Sequence, residues 1–228
     1  MSVDRYLSLL KSSLLGEVPV SSNPPFEHFQ RDAVTMIGRA RLEQLHSAMD
    51  TVLREGVPGH FIETGVWRGG ACIFMRGLLA ARDVHDRSVF VADSFEGLPP
   101  PDAKYPADKD SQHHIDECLK VSFYTVCGNF ESYWLLDGQV YFVPGWFRDT
   151  LPGLNQQFAL IRLDGDMYES TMDALNALYP RLSKGGFCII DDYGLVACRA
   201  AVDDYRAEHK ISEPLERIDW TGVFWRKA

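Results

Sequence analysis

The sequence predicts an α/β domain built on a mostly parallel sheet with helices on both faces. Three observations carry that prediction. Short apolar runs alternate with amphipathic stretches, as expected of strands joined by crossover helices. Gly-rich or acidic turns follow the apolar runs, as in "ETGVWRGGA" and "LIRLDGDMYEST". The tail "LERIDWTGVFWR" reads instead as two strands joined at a tight turn near Thr221-Gly222, which adds an antiparallel hairpin.

The elements follow in chain order. Residues 4–15 form a helix with Leu7, Leu10 and Leu14 on one stripe. "SSNPPFEHF" is a loop, because its proline pair blocks regular structure. A second helix covers 35–55, with Ile37, Leu45, Val52 and Leu53 as its apolar face and Gly56 and Pro58 as its stop. "HFIET" is a buried strand and "GGACIFMRGLLAA" the helix after it. "SVFVA", "QVYFV" and "FALIRL" are strands, and a helix runs over 169–179. "GFCII" is a strand and 196–209 the last helix. No repeat or Gly/Ser linker divides the chain, so 1–228 reads as one domain, with 1–57 as an N-terminal helical extension. "EGLPPPDAKYPADKDSQHH" is polar, Pro-rich and too long for an ordinary connection. Residues 99–122 are therefore expected to form a lid, mobile until ligands bind.

Composition excludes several classes of function. With 23 basic against 32 acidic residues the net charge is -9, which argues against a nucleic-acid partner. No apolar run approaches the ~20 residues of a membrane span. The start "MSVDRYLSLLKSSLLGE" lacks a signal peptide's apolar core, since Lys11 and several serines interrupt it. The five cysteines are odd in number and scattered, without a CxxC pair, and read as reduced thiols of a cytoplasmic protein.

The acids at the strand ends carry the functional reading. Glu63 follows "HFI", Asp93 follows "VFVA", Asp164 follows "LIRL", and Asp191-Asp192 follow "FCII". One such acid alone reads as a solvated or capping residue. Four strands ending this way indicate a shared site, because ligands of such sheets bind beyond the carboxyl ends of the strands. The first turn carries Gly65, Gly69 and Gly70 as GxxxGG. It is neither the GxGxxG of dinucleotide binding nor a phosphate loop with GK[ST]. It suits a zwitterionic nucleoside such as S-adenosylmethionine, the alternative being a plain strand–helix turn. Asp93 is placed to bond ribose hydroxyls. Glu63 is expected to bond the methionine amino group or turn amides, and Arg68 to meet the methionine carboxylate or pair with a neighbouring acid. Thr64, Gly65, Gly69, Ser94, Gly145 and Trp146 complete the expected cofactor site. Trp146 and Phe147 are candidates to stack on adenine, with core packing as the rival.

The stretches "IETGVWRGGA", "VADSFEGLPPP", "PGWFRDTLP", "RLDGDMYESTMDALNALYP", "IIDDYG" and "ERIDWTGVFW" resemble the macrocin O-methyltransferase family. Its members, of the tylosin, mycinamicin and novobiocin type, methylate deoxysugar hydroxyls in antibiotic biosynthesis. The likeness runs from "RYLSLLK" to the last strand. It implies a class I (Rossmann-like) methyltransferase fold with a seven-stranded sheet, a divalent cation, usually Mg2+, and a mobile lid. It maps the family's metal ligands to Asp164, Asp191 and Asp192.

The chemistry agrees with the resemblance. A sugar hydroxyl is a poor nucleophile at neutral pH and must be held in line with the methyl group. A hard cation on carboxylate oxygens can lower its pKa, and three close carboxylates repel one another without one. Asp164 is the expected catalytic base, with Asp166 competing because period two along a strand points both the same way. Tyr105, His113 and His114 of the lid, with Tyr168, are candidates to touch the acceptor, and either histidine is a further candidate for the base. Solvated or structural roles are the alternative. The acceptor is expected to be a glycosylated small molecule, with a phenol or polyketide hydroxyl as the alternative, and the enzyme a homo-oligomer. A nicotinamide oxidoreductase and a non-catalytic scaffold are the rival classes. The missing GxGxxG counts against the first, and the cost of idle strand-end acids against the second.

Overall fold

The computed structural model describes residues 2–17 and 33–228, so the "SSNPPFEHF" loop lies outside the described residues. Two helices, α1 (Val3–Leu14) and α2 (Gly38–Arg54), precede the sheet. Five parallel strands follow: β1 (His60–Thr64), β2 (Val89–Asp93), β3 (Val140–Pro144), β4 (Phe158–Leu163) and β5 (Leu182–Ile190). β6 (Glu216–Arg217) and β7 (Val223–Arg226) close the chain, with β7 antiparallel to both β5 and β6. The strand order is β3-β2-β1-β4-β5-β7-β6. The connecting helices are α3 (Gly70–Ala81), α4 (Phe123–Ser132), the single turn α5 (Phe147–Thr150), α6 (Tyr168–Leu178) and α7 (Val196–Glu208).

The strands read as near-continuous apolar runs because both faces of the sheet are covered. Successive side chains alternate between the two covers. Phe61, Val89 and Val91 pack with α1, α2 and α3 in one core, and Ile62, Phe90 and Ala92 with α6 and α7 in the other. Gly70 through Leu79 are all buried, because α3 lies between the sheet and α1. The N-terminal extension therefore completes the core. Among the described residues no helix is long and apolar enough to cross a membrane.

Two elements differ from the sequence reading. α4 is absent from it, because only Val126 and Phe130 are buried and Gly128 interrupts the pattern. The fold forms that helix by capping it, with Ser122 Oγ accepting from Thr125 N at 3.2 Å. β5 begins at Leu182 rather than at "GFCII", and its early residues lie before a register shift opposite β4.

The expected lid holds three short 3-10 turns and is fastened at two points. Asp108 is 1% exposed, and its two oxygens accept from Tyr168 N at 2.7 Å and Glu169 N at 2.9 Å. It thus caps α6 from outside that helix's own sequence and favours the positive end of its dipole. Trp67 Nε1 donates to the Cys118 carbonyl at 2.8 Å.

Candidate active site

The strand register decides which residues meet. Thr64 is level with Ala92 on one side and Leu163 on the other, and Leu163 is level with Ile190. One residue further on, Gly65, Asp93, Asp164 and Asp191 emerge side by side at the carboxyl edge. A cavity of about 470 Å³ opens there, walled by Glu63, Asp93, Asp164, Asp166, Asp191 and Asp192 among others.

The glycine turn passes directly beneath the second acid. A Cβ on Gly65, whose φ is +79°, would lie 1.7 Å from the Asp164 carbonyl oxygen, so no other residue fits. Trp67, Phe95 and Asp166 also adopt positive φ (49°, 59° and 56°) in turns around the cavity. Such conformations cost energy and cluster at functional sites.

Asp93 lines the cavity as expected, but its carboxylate already braces the glycine turn. Oδ2 accepts from Val66 N and Oδ1 from Phe95 N, both at 2.7 Å. Burial raises its pKa against the pull of these amides. Glu63 differs from the expectation of turn amides. It accepts from Arg162 on one oxygen and from Cys72 Sγ at 2.9 Å on the other. Burial raises Glu63 to about 7 in spite of Arg162.

Arg162 is the main partner the sequence reading missed. It is 1% exposed and pairs with Glu63, Asp164 and Asp191 together, the Asp164 contact measuring 2.9 Å. A charge inside the apolar run "FALIRL" was the available signal, since a buried arginine must be paired. Arg41 on α2 reaches the second oxygen of Asp191 and lies 3.0 Å from Asp219. Nothing local in the sequence marks it.

Asp164, Asp191 and Asp192 each offer an oxygen within 4.8 Å of the others. Asp192 Oδ2 accepts from Asp166 N at 3.3 Å. Burial, with Asp164 and Asp166 adding repulsion, pushes Asp192 well above the usual carboxylate range. Asp191 rises to about 6 by burial, held back by Arg162, and Asp166 to about 7 by burial and by Asp164. Among the described residues no cationic side chain pairs with Asp166 or Asp192. An all-oxygen donor set of this charge and spacing fits a hard divalent cation of the Mg2+ class.

The other expected site residues divide clearly. Gly65, Ser94, Trp146 and His113 line the cavity, whereas Thr64, Gly69, Gly145, Tyr105 and His114 do not. Thr64 is fully buried, and Gly145 N donates to the Asp93 carbonyl at 2.8 Å, so these residues set the wall's shape from behind. Arg68 donates to the Ala33 carbonyl at 2.9 Å, which directs it toward the segment before α2. Tyr168 turns away from the acids, donating to Asp204 on α7 at 2.9 Å, and its ring lies 5.9 Å from that of Tyr105.

Comparison with known proteins identifies the family. The macrocin-O-methyltransferase (TylF) family profile matches residues 21–227. A tetracenomycin-series rhamnosyl 4'-O-methyltransferase of Streptomyces olivaceus is 55% identical over 197 residues, covering 85% of this chain and 76% of the relative. The mycinamicin III 3''-O-methyltransferase of Micromonospora griseorubida is 52% identical over 207 residues, 89% of this chain and 82% of the relative. The solved structure of the O-methyltransferase NovP superposes with a TM-score of 0.92 at 44% identity, covering 100% of both chains. The chain belongs to the macrocin O-methyltransferase family, and its seven-stranded sheet is that of the S-adenosylmethionine-dependent class I O-methyltransferases.

Proposed function

We propose that this enzyme transfers the methyl group of S-adenosylmethionine to a hydroxyl of a deoxysugar carried on a natural product, with a divalent cation held by Asp164, Asp191 and Asp192. The observation that carries this reading is the convergence of those three carboxylates beside a cavity that also reaches Gly65 and Asp93. The sugar acceptor is supported by the named activities of the two curated relatives.

The cavity has two halves. The glycine turn, Asp93, Ser94 and Trp146, from the β1–β3 end of the sheet, suit the methyl donor. The acids after β4 and β5 lie beyond it and suit the acceptor hydroxyl. When bound, the cation supplies charge that makes that hydroxyl more acidic. Asp166 accepts its proton, because it faces the cavity from outside the three-acid cluster. Asp164, the base expected from the sequence, is committed to Arg162 and to the cluster. The hydroxyl oxygen attacks the methyl carbon as the carbon–sulfur bond breaks, and S-adenosylhomocysteine leaves. Arg162 and Arg41 hold Asp191 throughout.

The test is an assay with S-adenosylmethionine and Mg2+ on the acceptors named for the relatives, mycinamicin III and the demethyl rhamnosyl-tetracenomycin, with catechol as a phenolic comparison. Mass spectrometry should find a singly methylated sugar on at least one glycoside, and S-adenosylhomocysteine in equal amount. Methylation of catechol alone, or binding of NAD in place of S-adenosylhomocysteine, would contradict the reading.

A further inference from the structure

Trp220 is 71% exposed and Met36 is 52% exposed, yet both line the cavity. Single exposed aromatics are ordinary on protein surfaces. Trp220 differs from them in the way its backbone is held. Asp219 Oδ1 accepts from Thr221 N at 3.0 Å and Gly222 N at 2.7 Å, and Arg41 approaches its other oxygen. Thr221 Oγ1 donates to the Asp191 carbonyl and accepts from Gly194 N, both at 3.1 Å. Arg217 Nε donates to the Asp219 carbonyl at 2.6 Å. The turn is thus tied to the acid-bearing segment, which fixes the Trp220 backbone beside the acids while its ring stays exposed.

Position along the sheet says what the ring faces. In strand order the cavity wall runs from Trp146 after β3, through Asp93 and Gly65, to Asp164 and Asp191, and ends at Trp220 before β7. The methyl donor suits the first part of that series and the reacting hydroxyl the acids in its middle. Trp220 therefore lies beyond the reacting sugar, on the side away from the methyl donor. Met36, also in the lining, follows Val34 and Thr35, which pack against Gly70 beside the glycine turn, so it is not placed with Trp220.

We propose that Trp220 forms an apolar platform for the aglycone of the acceptor, the non-sugar part that follows the sugar out of the cavity. The proposal rests on the sugar-acceptor reading given above. A preorganised aromatic ring offers large contact area at little entropic cost. The contact lies far from the methyl group and is the same in the ground and transition states, so it acts on KM rather than on kcat.

The experiment compares a full glycoside, whichever of the two named acceptors is methylated, with the methyl glycoside of the same sugar. In Trp220→Ala the preference for the full glycoside, as the ratio of kcat/KM values, should fall by about tenfold or more, mainly through KM. Trp220→Phe should recover most of it. Trp134→Ala, which removes an exposed tryptophan outside the cavity lining, should leave the ratio unchanged. Equal losses on both acceptors, no loss on either, or a wild-type enzyme that shows no preference would each overturn the platform. If neither glycoside is methylated while S-adenosylhomocysteine binds, the sugar-acceptor reading itself fails and takes the platform with it.

Discussion

Asp166→Asn is expected to reduce turnover by about 10²- to 10⁴-fold, the usual contribution of a general base, while S-adenosylhomocysteine affinity stays within about twofold. The substitution separates chemistry from folding. Asparagine tolerates the left-handed conformation at φ 56° as well as aspartate does. The amide that donates to Asp192 is retained, and the side chain keeps its size. What is lost is an acceptor for the hydroxyl proton. Asp164 is a poorer candidate for that role, because Arg162 donates to it at 2.9 Å and it belongs to the three-acid cluster. Single-turnover rates with saturating donor measure the effect. Wild-type rates in Asp166→Asn would return the role to Asp164 or to His113, which also lines the cavity.

The largest effect on stability is expected from Arg162→Ala. The guanidinium is fully enclosed and meets three carboxylates from three strand ends. Its removal leaves buried charge without a partner, a loss of about 3–5 kcal/mol. Lysine cannot replace it, since a single ammonium lacks the planar fork of donors with which the guanidinium meets three partners. The loss should depend on pH with a definite sign. Burial already raises the Glu63 carboxyl from 4.5 to about 7 with Arg162 present, and without it the pKa rises further. A carboxyl with a raised folded-state pKa binds more protons folded than unfolded, so its contribution falls as pH rises from 4.5 through the folded pKa. The deficit of the variant should therefore shrink between about pH 7 and pH 5. Urea titrations of both proteins at the two pH values measure it. A deficit below about 1 kcal/mol, typical of an exposed pair, would show that the three contacts carry little energy.

Much of this site is legible in the sequence because it depends on period and position. A parallel sheet exposes its strand ends on one edge, so acids that terminate four apolar runs had to meet. The register through Thr64, Leu163 and Ile190 brings them level. The contacts that were not legible are long-range. Arg41 lies on a helix far from Asp191 in the chain, and Asp108 caps a helix that begins 60 residues later. Neither leaves a local pattern. α4 escaped for the opposite reason, since its local pattern is weak and its capping serine and two buried anchors suffice to form it. The lid is read from polarity, length and the family resemblance, none of which shows the aspartate that pins it. For Tyr168 the sequence leaves an acceptor contact and a structural role both open, and its bond to Asp204 on α7 is of the second kind.

The central claim is that a cation on Asp164, Asp191 and Asp192 enables methyl transfer to a sugar hydroxyl. The most direct measurement is turnover of a methylated glycoside acceptor by exhaustively chelated enzyme, with metal content determined on the same sample, before and after adding Mg2+. The account predicts turnover at background level in the metal-free sample and recovery on adding Mg2+. Full turnover by a sample in which no metal is detected would contradict it.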